Sequence, residues 1–347
     1  MSLDLLDSAP SSRRRTSRPS APIFDLSLSE NPFPPLPSVV AAVNYEVTRS
    51  NRYPEFVPDR LPALIGGQLG VDAERVAVGA GATGVAMQIL RSVPQPGTEI
   101  VMSSPTFDGY PIMATMAGLR LVPVPLAADG AQDLDALRRS IHKGTGLVIV
   151  CRPHNPTGTV VPAHDLRAFL TSVPKRIPLI LDEAYVEFLA AADHLDHIEL
   201  LRRHPNLLVL RTFSKAYGLA GLRIGYVVGH PDLIARVRTQ QLPFGTPTLA
   251  VAAVTASYAA FPELRTRIRS IDTARDRLRT ALRGHGIAVP PSRANFLYLP
   301  GPGPATLLRR AGIHAKCYPD GSARVAVGDP AADRAILTAL LPHRSPT

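Results

Sequence analysis

The sequence predicts an α/β fold: a large domain with a mostly parallel sheet between helices, followed by a smaller α+β domain. Two observations carry this. From about Asp25 to about Phe244, short β-branched runs alternate with helical patterns, the cadence of strands and crossover helices. After Phe244 the rhythm changes to two long helices, two short strands and a final helix. The chain of 347 residues, 45% of them apolar, can bury a large core, which excludes collagen-like, fully disordered and disulfide-framed classes.

Residues 1–24 form a Ser/Pro/Arg segment holding Arg13, Arg14, Arg15 and Arg18, and read as a disordered basic tail. Residues 25–48 are expected to be a lead-in that joins the smaller domain. Within it Asn31 to Pro37 (NPFPPLP) is too proline-dense for a helix or a central strand, and reads as an extended linker or a gate loop. The large domain spans residues 49–250. Its strands are expected at Arg75 to Val78, Glu99 to Met102, Leu119 to Val122, Gly146 to Val150, Pro178 to Leu181, Asn206 to Leu210 and Ile224 to Val228. Helical patterns such as Val85 to Val93 and Ala163 to Val173 separate them. The small domain, residues 251–347, takes in most of the helix Thr246 to Ala260, then Pro262 to Arg283, strands Asn295 to Leu299 and Ala323 to Val327, and a helix from Pro330.

The 38 basic residues against 28 acidic ones give a net charge of +10, yet only Lys143, Lys175, Lys215 and Lys316 are lysines. The arginines are scattered, and the alternation with Asp272 and Asp276 between Leu264 and Arg283 suggests a solvated face. With no helix-turn-helix, zinc finger or aromatic-interleaved basic patch, no nucleic-acid partner is expected, and small anions are the better ligands. Cys151 and Cys317 read as buried or incidental thiols and no metal pattern is present. No apolar run is long enough for a membrane helix, so a cytoplasmic protein is expected.

Four motifs carry chemistry. Gly79, Gly81 and Gly84 (GAGATG) follow a strand and open a helix, where glycines and free N–H groups suit a phosphate. A nicotinamide cofactor would need an acid ending the next strand, but Glu99 begins its strand, so a single phosphate fits better. Asn155 to Gly158 (NPTG) follows one strand and Asp182 to Tyr185 (DEAY) ends another. In open α/β sheets ligands sit at such carboxyl ends. Thr212 to Gly225 (TFSKAYGLAGLRIG) places Lys215 in a Gly-rich loop with hydroxyls beside it and Arg223 eight residues on, an amine joined to a phosphate cradle.

Together these motifs resemble the fold-type I pyridoxal-phosphate aminotransferases, within them the histidinol-phosphate and aromatic amino acid aminotransferase branch, from about Asp25 to the end. The resemblance implies that Lys215 forms the Schiff base with the cofactor and shuttles the substrate proton. It implies that Asp182 pairs with the pyridine nitrogen, that Asn155 and Tyr185 bond the ring oxygen, and that Phe107 stacks on the ring. Ala82, Thr83, Thr212, Ser214 and Arg223 hold the phosphate, with Tyr53 reaching in from the other subunit of a homodimer. The resemblance implies that Arg324 clamps the substrate carboxylate.

Some residues depart from the branch. Lys316 stands where an arginine is common, Gly245 where an Asn follows the PF pair, Phe33 and Pro34 where Tyr and Gly are common, and no tyrosine precedes Tyr45. Phe33, Phe244, Gly245 and Lys316 read as pocket-shaping positions, and an aromatic or specialised amino acid stands beside histidinol phosphate as substrate. His154 replaces a common Asn and reads as a loop residue. A decarboxylase of the threonine-phosphate type shares most of these motifs. A nicotinamide oxidoreductase leaves Lys215 and Asp182 without a role, and a transcriptional regulator would need a DNA-binding domain that the residues before Asp25 are too few to form.

Overall fold

The computed structural model describes residues 24–341; residues 1–23 of the basic tail lie outside the described residues, and Phe24 belongs to the first strand. In chain order, β1 (Phe24–Asp25) precedes α1 (Pro37–Val47) and α2 (Arg60–Leu69). Then come β2 (Val76–Ala80), α3 (Gly81–Ser92), β3 (Glu99–Ser104), α4 (Gly109–Met116), β4 (Arg120–Pro125), α5 (Leu134–Arg139) and β5 (Thr145–Cys151). They are followed by α6 (Ala163–Ser172), β6 (Leu179–Asp182), α7 (His197–Arg203), β7 (Leu207–Thr212), β8 (Ile224–Gly229) and α8 (Pro231–Arg238). The last third holds α9 (Thr248–Ala259), α10 (Phe261–Gly284), β9 (Phe296–Leu299), α11 (Pro304–Arg310), β10 (Ile313–His314), β11 (Lys316–Cys317), β12 (Ala323–Ala326) and α12 (Pro330–Leu340).

Seven strands form the central sheet in the order β2-β8-β7-β6-β5-β3-β4, and only β8 runs against its neighbours. The apolar runs produce this because both faces are covered. Val148 and Val150 of β5 join one core while Leu147, Ile149 and Cys151 join the other, and Leu207 and Val209 of β7 split from Leu208 and Leu210 in the same way. Period-two side chains that are apolar on both sides belong to strands buried between helix layers. One core takes in Ile89, Met113 and Ile234 from α3, α4 and α8; the other takes in Ile65, Leu166 and Leu200 from α2, α6 and α7.

Beyond this sheet, β11-β12-β9 form a three-stranded antiparallel sheet, and β1 pairs in parallel with β10. Phe24 and Asp25 are thus tied to the last third of the chain. The proline-dense stretch bends at Pro32 and Phe33 and forms no helix or strand before Pro37 opens α1, where its fixed φ and missing N–H are tolerated. Two expectations shift. Arg75 lies in a short 3-10 turn before β2, and α3 starts inside the glycine motif at Gly81, four residues earlier than its apolar periodicity. On α10, Arg275 is not part of a solvated face: it is 1% exposed, pairs with Asp272 and Asp276, and donates to the Ala294 carbonyl.

Candidate active site

Three central strands end on chemically useful residues: β5 at Cys151, β6 at Asp182 and β7 at Thr212. A cavity of about 490 Å³ opens there, facing the start of α3. Its walls include Ala82, Thr83, Phe107, Asn155, Asp182, Tyr185, Thr212, Ser214, Lys215, Arg223, Lys316 and Arg324, residues separated by up to 242 positions in sequence, from 82 to 324. Three of the positions expected to shape the pocket stand elsewhere. Phe33 packs under the Arg267 guanidinium, 5.8 Å from its ring centroid, and Phe244 stacks between Tyr53 and Phe56 at 4.8 and 5.0 Å. Gly245 lines a different groove, with Ala80 and Leu242. His154 is fully buried, its Nδ1 3.0 Å from Thr157 Oγ1, and burial lowers its pKa to about 3.

One end of the cavity is built for an anion. The first N–H groups of α3 lack helical partners, and the helix dipole adds positive potential there. Arg223 takes a left-handed backbone (φ 52°), its carbonyl accepts the Gly81 N–H at 2.9 Å, and its Nη1 donates to Ala220 O at 2.9 Å. Gly81 also has positive φ (73°), and a Cβ there would run into the guanidinium. A Cβ on Gly225 of β8 would strike the Gly81–Ala82 backbone, so the motif glycines are required by the close approach of β8 to the start of α3. Thr212 Oγ1 donates to Ser214 Oγ at 3.0 Å and accepts the Ser214 N–H at 3.1 Å, which aligns both hydroxyls on the same wall.

Lys215 sits at the centre. Its Nζ donates to the carbonyls of Leu28 (3.0 Å) and Ser29 (3.2 Å) and lies 5.7 Å from the Tyr185 ring centroid. Burial, then the cations Arg324 and Arg223, lower its pKa to about 8 against the pull of Glu30 and Asp182. A fraction of the amine is therefore neutral near pH 7, as a nucleophile or base requires. Asp182 accepts from Tyr110 Oη at 2.6 Å and from the Ala184 N–H at 3.0 Å; burial raises its pKa, and these two donors oppose the rise. Burial likewise raises the Tyr185 phenol to about 12, keeping it a proton donor.

Arg324 closes the far wall. Its Nη1 donates to Asn155 Oδ1 at 2.6 Å and its Nη2 to Ser27 O at 2.5 Å, while its buried Nε has no partner. The segment over Lys215 is pinned from two sides. Asn31 Nδ2 donates to Lys215 O and Ala216 O at 2.9 and 3.0 Å, and Asn295 Nδ2 to Ser29 O and Glu30 O at 2.9 and 3.0 Å. Behind Asp182, the buried Glu183 meets Arg211 at 2.8 Å and His197 at 2.8 Å; burial pushes its carboxyl up, but these two partners outweigh it and hold the pKa at about 2.

Sequence reasoning missed Tyr110, Asn31, Asn295 and Asp108. Tyr110 follows Phe107 by three residues, and the two rings meet edge to face at 5.7 Å, so a one-turn spacing after the aromatic was the available signal. The nicotinamide reading loses its ground as well. β2, which feeds the glycine motif, is an edge strand paired antiparallel with β8, not the first strand of a parallel dinucleotide-binding unit.

Residues 21–340 match the family of class I and II aminotransferases. The chain is 42% identical over 317 residues, 90% of either chain, to the aromatic amino acid aminotransferase of Cutibacterium acnes. It is 40% identical to that of Thermobifida fusca, over 96% of this chain and 94% of the relative. The solved histidinol-phosphate aminotransferase of Sinorhizobium meliloti in complex with pyridoxal-5'-phosphate superposes with a TM-score of 0.84 at 30% identity, covering 92% of this chain and 90% of that one. The residues fit this cofactor: an anion cradle at one end, a buried carboxyl at the cavity floor, an amine of lowered pKa between them, and a guanidinium with a buried, unpartnered Nε on the opposite wall. On sequence, fold and site alike, the chain belongs to the class I and II aminotransferases and uses pyridoxal 5'-phosphate.

Proposed function

We propose that this aminotransferase moves an amino group between an L-amino acid with an aromatic side chain and a 2-oxo acid, as a cytoplasmic homodimer divided into a large domain (residues 49–250) and a small one (251–347). The observation that carries the reading is the charge layout of the cavity. Lys215, Arg223 and Arg324 face it, their donors meeting carbonyl or amide oxygens, with Asp182 on its floor. That layout suits a cofactor phosphate at Arg223 and a substrate carboxylate at Arg324.

Bound pyridoxal phosphate supplies an electron-withdrawing ring that acidifies the substrate Cα proton. In our reading, Lys215 Nζ takes that proton from Cα and returns it on the cofactor side. Asp182 holds the ring nitrogen protonated, Asn155 and Tyr185 donate to the ring oxygen, and Phe107 packs on the ring face. Ala82, Thr83, Thr212, Ser214 and Arg223 bind the phosphate. Arg324 with Asn155 orients the carboxylate, so that the Cα–H bond faces the lysine. The aromatic assignment is supported by the relatives' names and by Leu28 and Tyr318 on the cavity wall.

A second subunit is supported by the exposed apolar cluster of Tyr53 (83% exposed), Leu242 (75%), Phe56 and Phe244. Leu242 shares a groove with Ala80, next to the phosphate end, where the partner's Tyr53 is proposed to reach. The unpaired thiols Cys151 and Cys317 suit a reducing compartment. The function is tested by adding L-phenylalanine to the loaded enzyme without an acceptor. One equivalent of phenylpyruvate per subunit and no carbon dioxide is expected. Carbon dioxide release, or no keto acid from any aromatic amino acid, contradicts the reading.

A further inference from the structure

Four cations line the cavity, and three are accounted for by the cofactor and the substrate backbone: Lys215, Arg223 and Arg324. The fourth, Lys316, is different, because its ammonium makes an ion pair with Asp108. Lys316 lies on β11 opposite Arg324 in the strand ladder, and its Nζ is 5.8 Å from the Tyr318 ring centroid. It therefore stands beside Arg324 on the cavity wall. Asp108 occupies the N-cap of α4, where an aspartate ordinarily accepts a helix N–H. Here its side chain makes no capping bond and is given to Lys316 instead.

We propose that Asp108, by engaging Lys316, sets the side-chain specificity of the site: the pair presents no net charge, so the pocket takes an uncharged aromatic ring and disfavours a phosphate or a second carboxylate. The inference rests on the aminotransferase reading above and deepens it to a substrate class. Stability is not the reason for the pair, since its side chains are 35% and 54% exposed and solvent screens them. Its effect is on an incoming charge. An anionic side chain must draw Lys316 away from Asp108 and then lie beside the released carboxylate, a repulsive element against the wrong substrate. An aromatic ring meets Leu28 and Tyr318, which line the cavity, and leaves the pair intact.

The test compares the holoenzyme with its Asp108→Asn, Lys316→Met and doubly substituted forms. Two unreactive carboxylates, succinate and 3-phenylpropionate, are titrated by calorimetry, and kcat/KM is measured for phenylalanine, aspartate and histidinol phosphate. Asp108→Asn is expected to shift the succinate-to-phenylpropionate affinity ratio about two- to fivefold toward succinate, the scale of freeing one partly exposed charge. The histidinol phosphate-to-phenylalanine kcat/KM ratio moves the same way, and adding Lys316→Met cancels both shifts. Unchanged ratios in Asp108→Asn overturn the proposal. So does a wild-type preference for histidinol phosphate that Lys316→Met abolishes, which makes Lys316 a phosphate reader despite the pair. If no aromatic amino acid is transaminated, the substrate reading fails by itself, while the ratio of the two inert carboxylates still decides the role of Asp108.

Discussion

Tyr110→Phe isolates one hydrogen bond beneath the cofactor site. Tyr110 is 1% exposed and gives Asp182 its shorter hydrogen bond, 2.6 Å against 3.0 Å from the Ala184 N–H. Phenylalanine keeps the ring and its edge-to-face contact with Phe107, so the core is preserved and only the donor is lost. A hydrogen bond to a charged acceptor is worth about 1.5–3 kcal/mol. Its loss raises the Asp182 pKa, already elevated by burial, still further. The carboxyl then competes better with the cofactor's ring nitrogen for the proton, and the ring withdraws electrons less. The expected result is a kcat lower by about ten- to a hundredfold, with KM for the amino donor little changed. The pH dependence of kcat and of the cofactor's visible band should shift toward higher pH. A kcat within twofold of wild type, with both pH profiles unmoved, refutes Tyr110 as the residue that positions and charges Asp182.

Two further outcomes follow from the same electrostatics. Arg211→Met leaves Glu183 buried without its guanidinium and should lower stability by about 3–5 kcal/mol, read from denaturant unfolding; a loss under 1 kcal/mol means that His197 suffices. Capture of pyridoxal phosphate by the apoenzyme needs the neutral Lys215 amine. With a pKa of about 8 rather than the ordinary 10.5, its rate should rise about tenfold per pH unit up to pH 8 and level off above it. A rate still climbing through pH 10 shows an unperturbed lysine.

The sheet was legible because its strands are apolar on both faces, a signal that survives small errors at their ends. Lys215, Asp182, Asn155 and Arg223 were legible because each sits in a short motif whose backbone job demands particular neighbours, such as Gly81 and Gly225 at the phosphate end. What sequence could not supply was partners brought together only by folding. Lys316 and Asp108 are far apart in the chain, and neither position alone distinguishes an ion pair from two solvated charges. Nothing in the sequence ties Tyr110 to Asp182, 72 residues away, and the buried Arg275 reads as one more arginine on a charged helix. Phe33 is expected in the pocket because it stands where the branch commonly has a tyrosine, but the loop over Lys215 is held by Asn31, and the Phe33 ring lies against Arg267.

The central claim is that Lys215 is the amine on which pyridoxal phosphate is held and through which the amino group moves. Borohydride reduction of the cofactor-loaded protein, followed by peptide mass analysis, tests it most directly. The account predicts a pyridoxyl group on Lys215 alone, its disappearance when phenylalanine is added before the reductant, and no visible cofactor band in Lys215→Ala. Label on another lysine, or label on Lys215 that phenylalanine and every other amino acid leave in place, contradicts it.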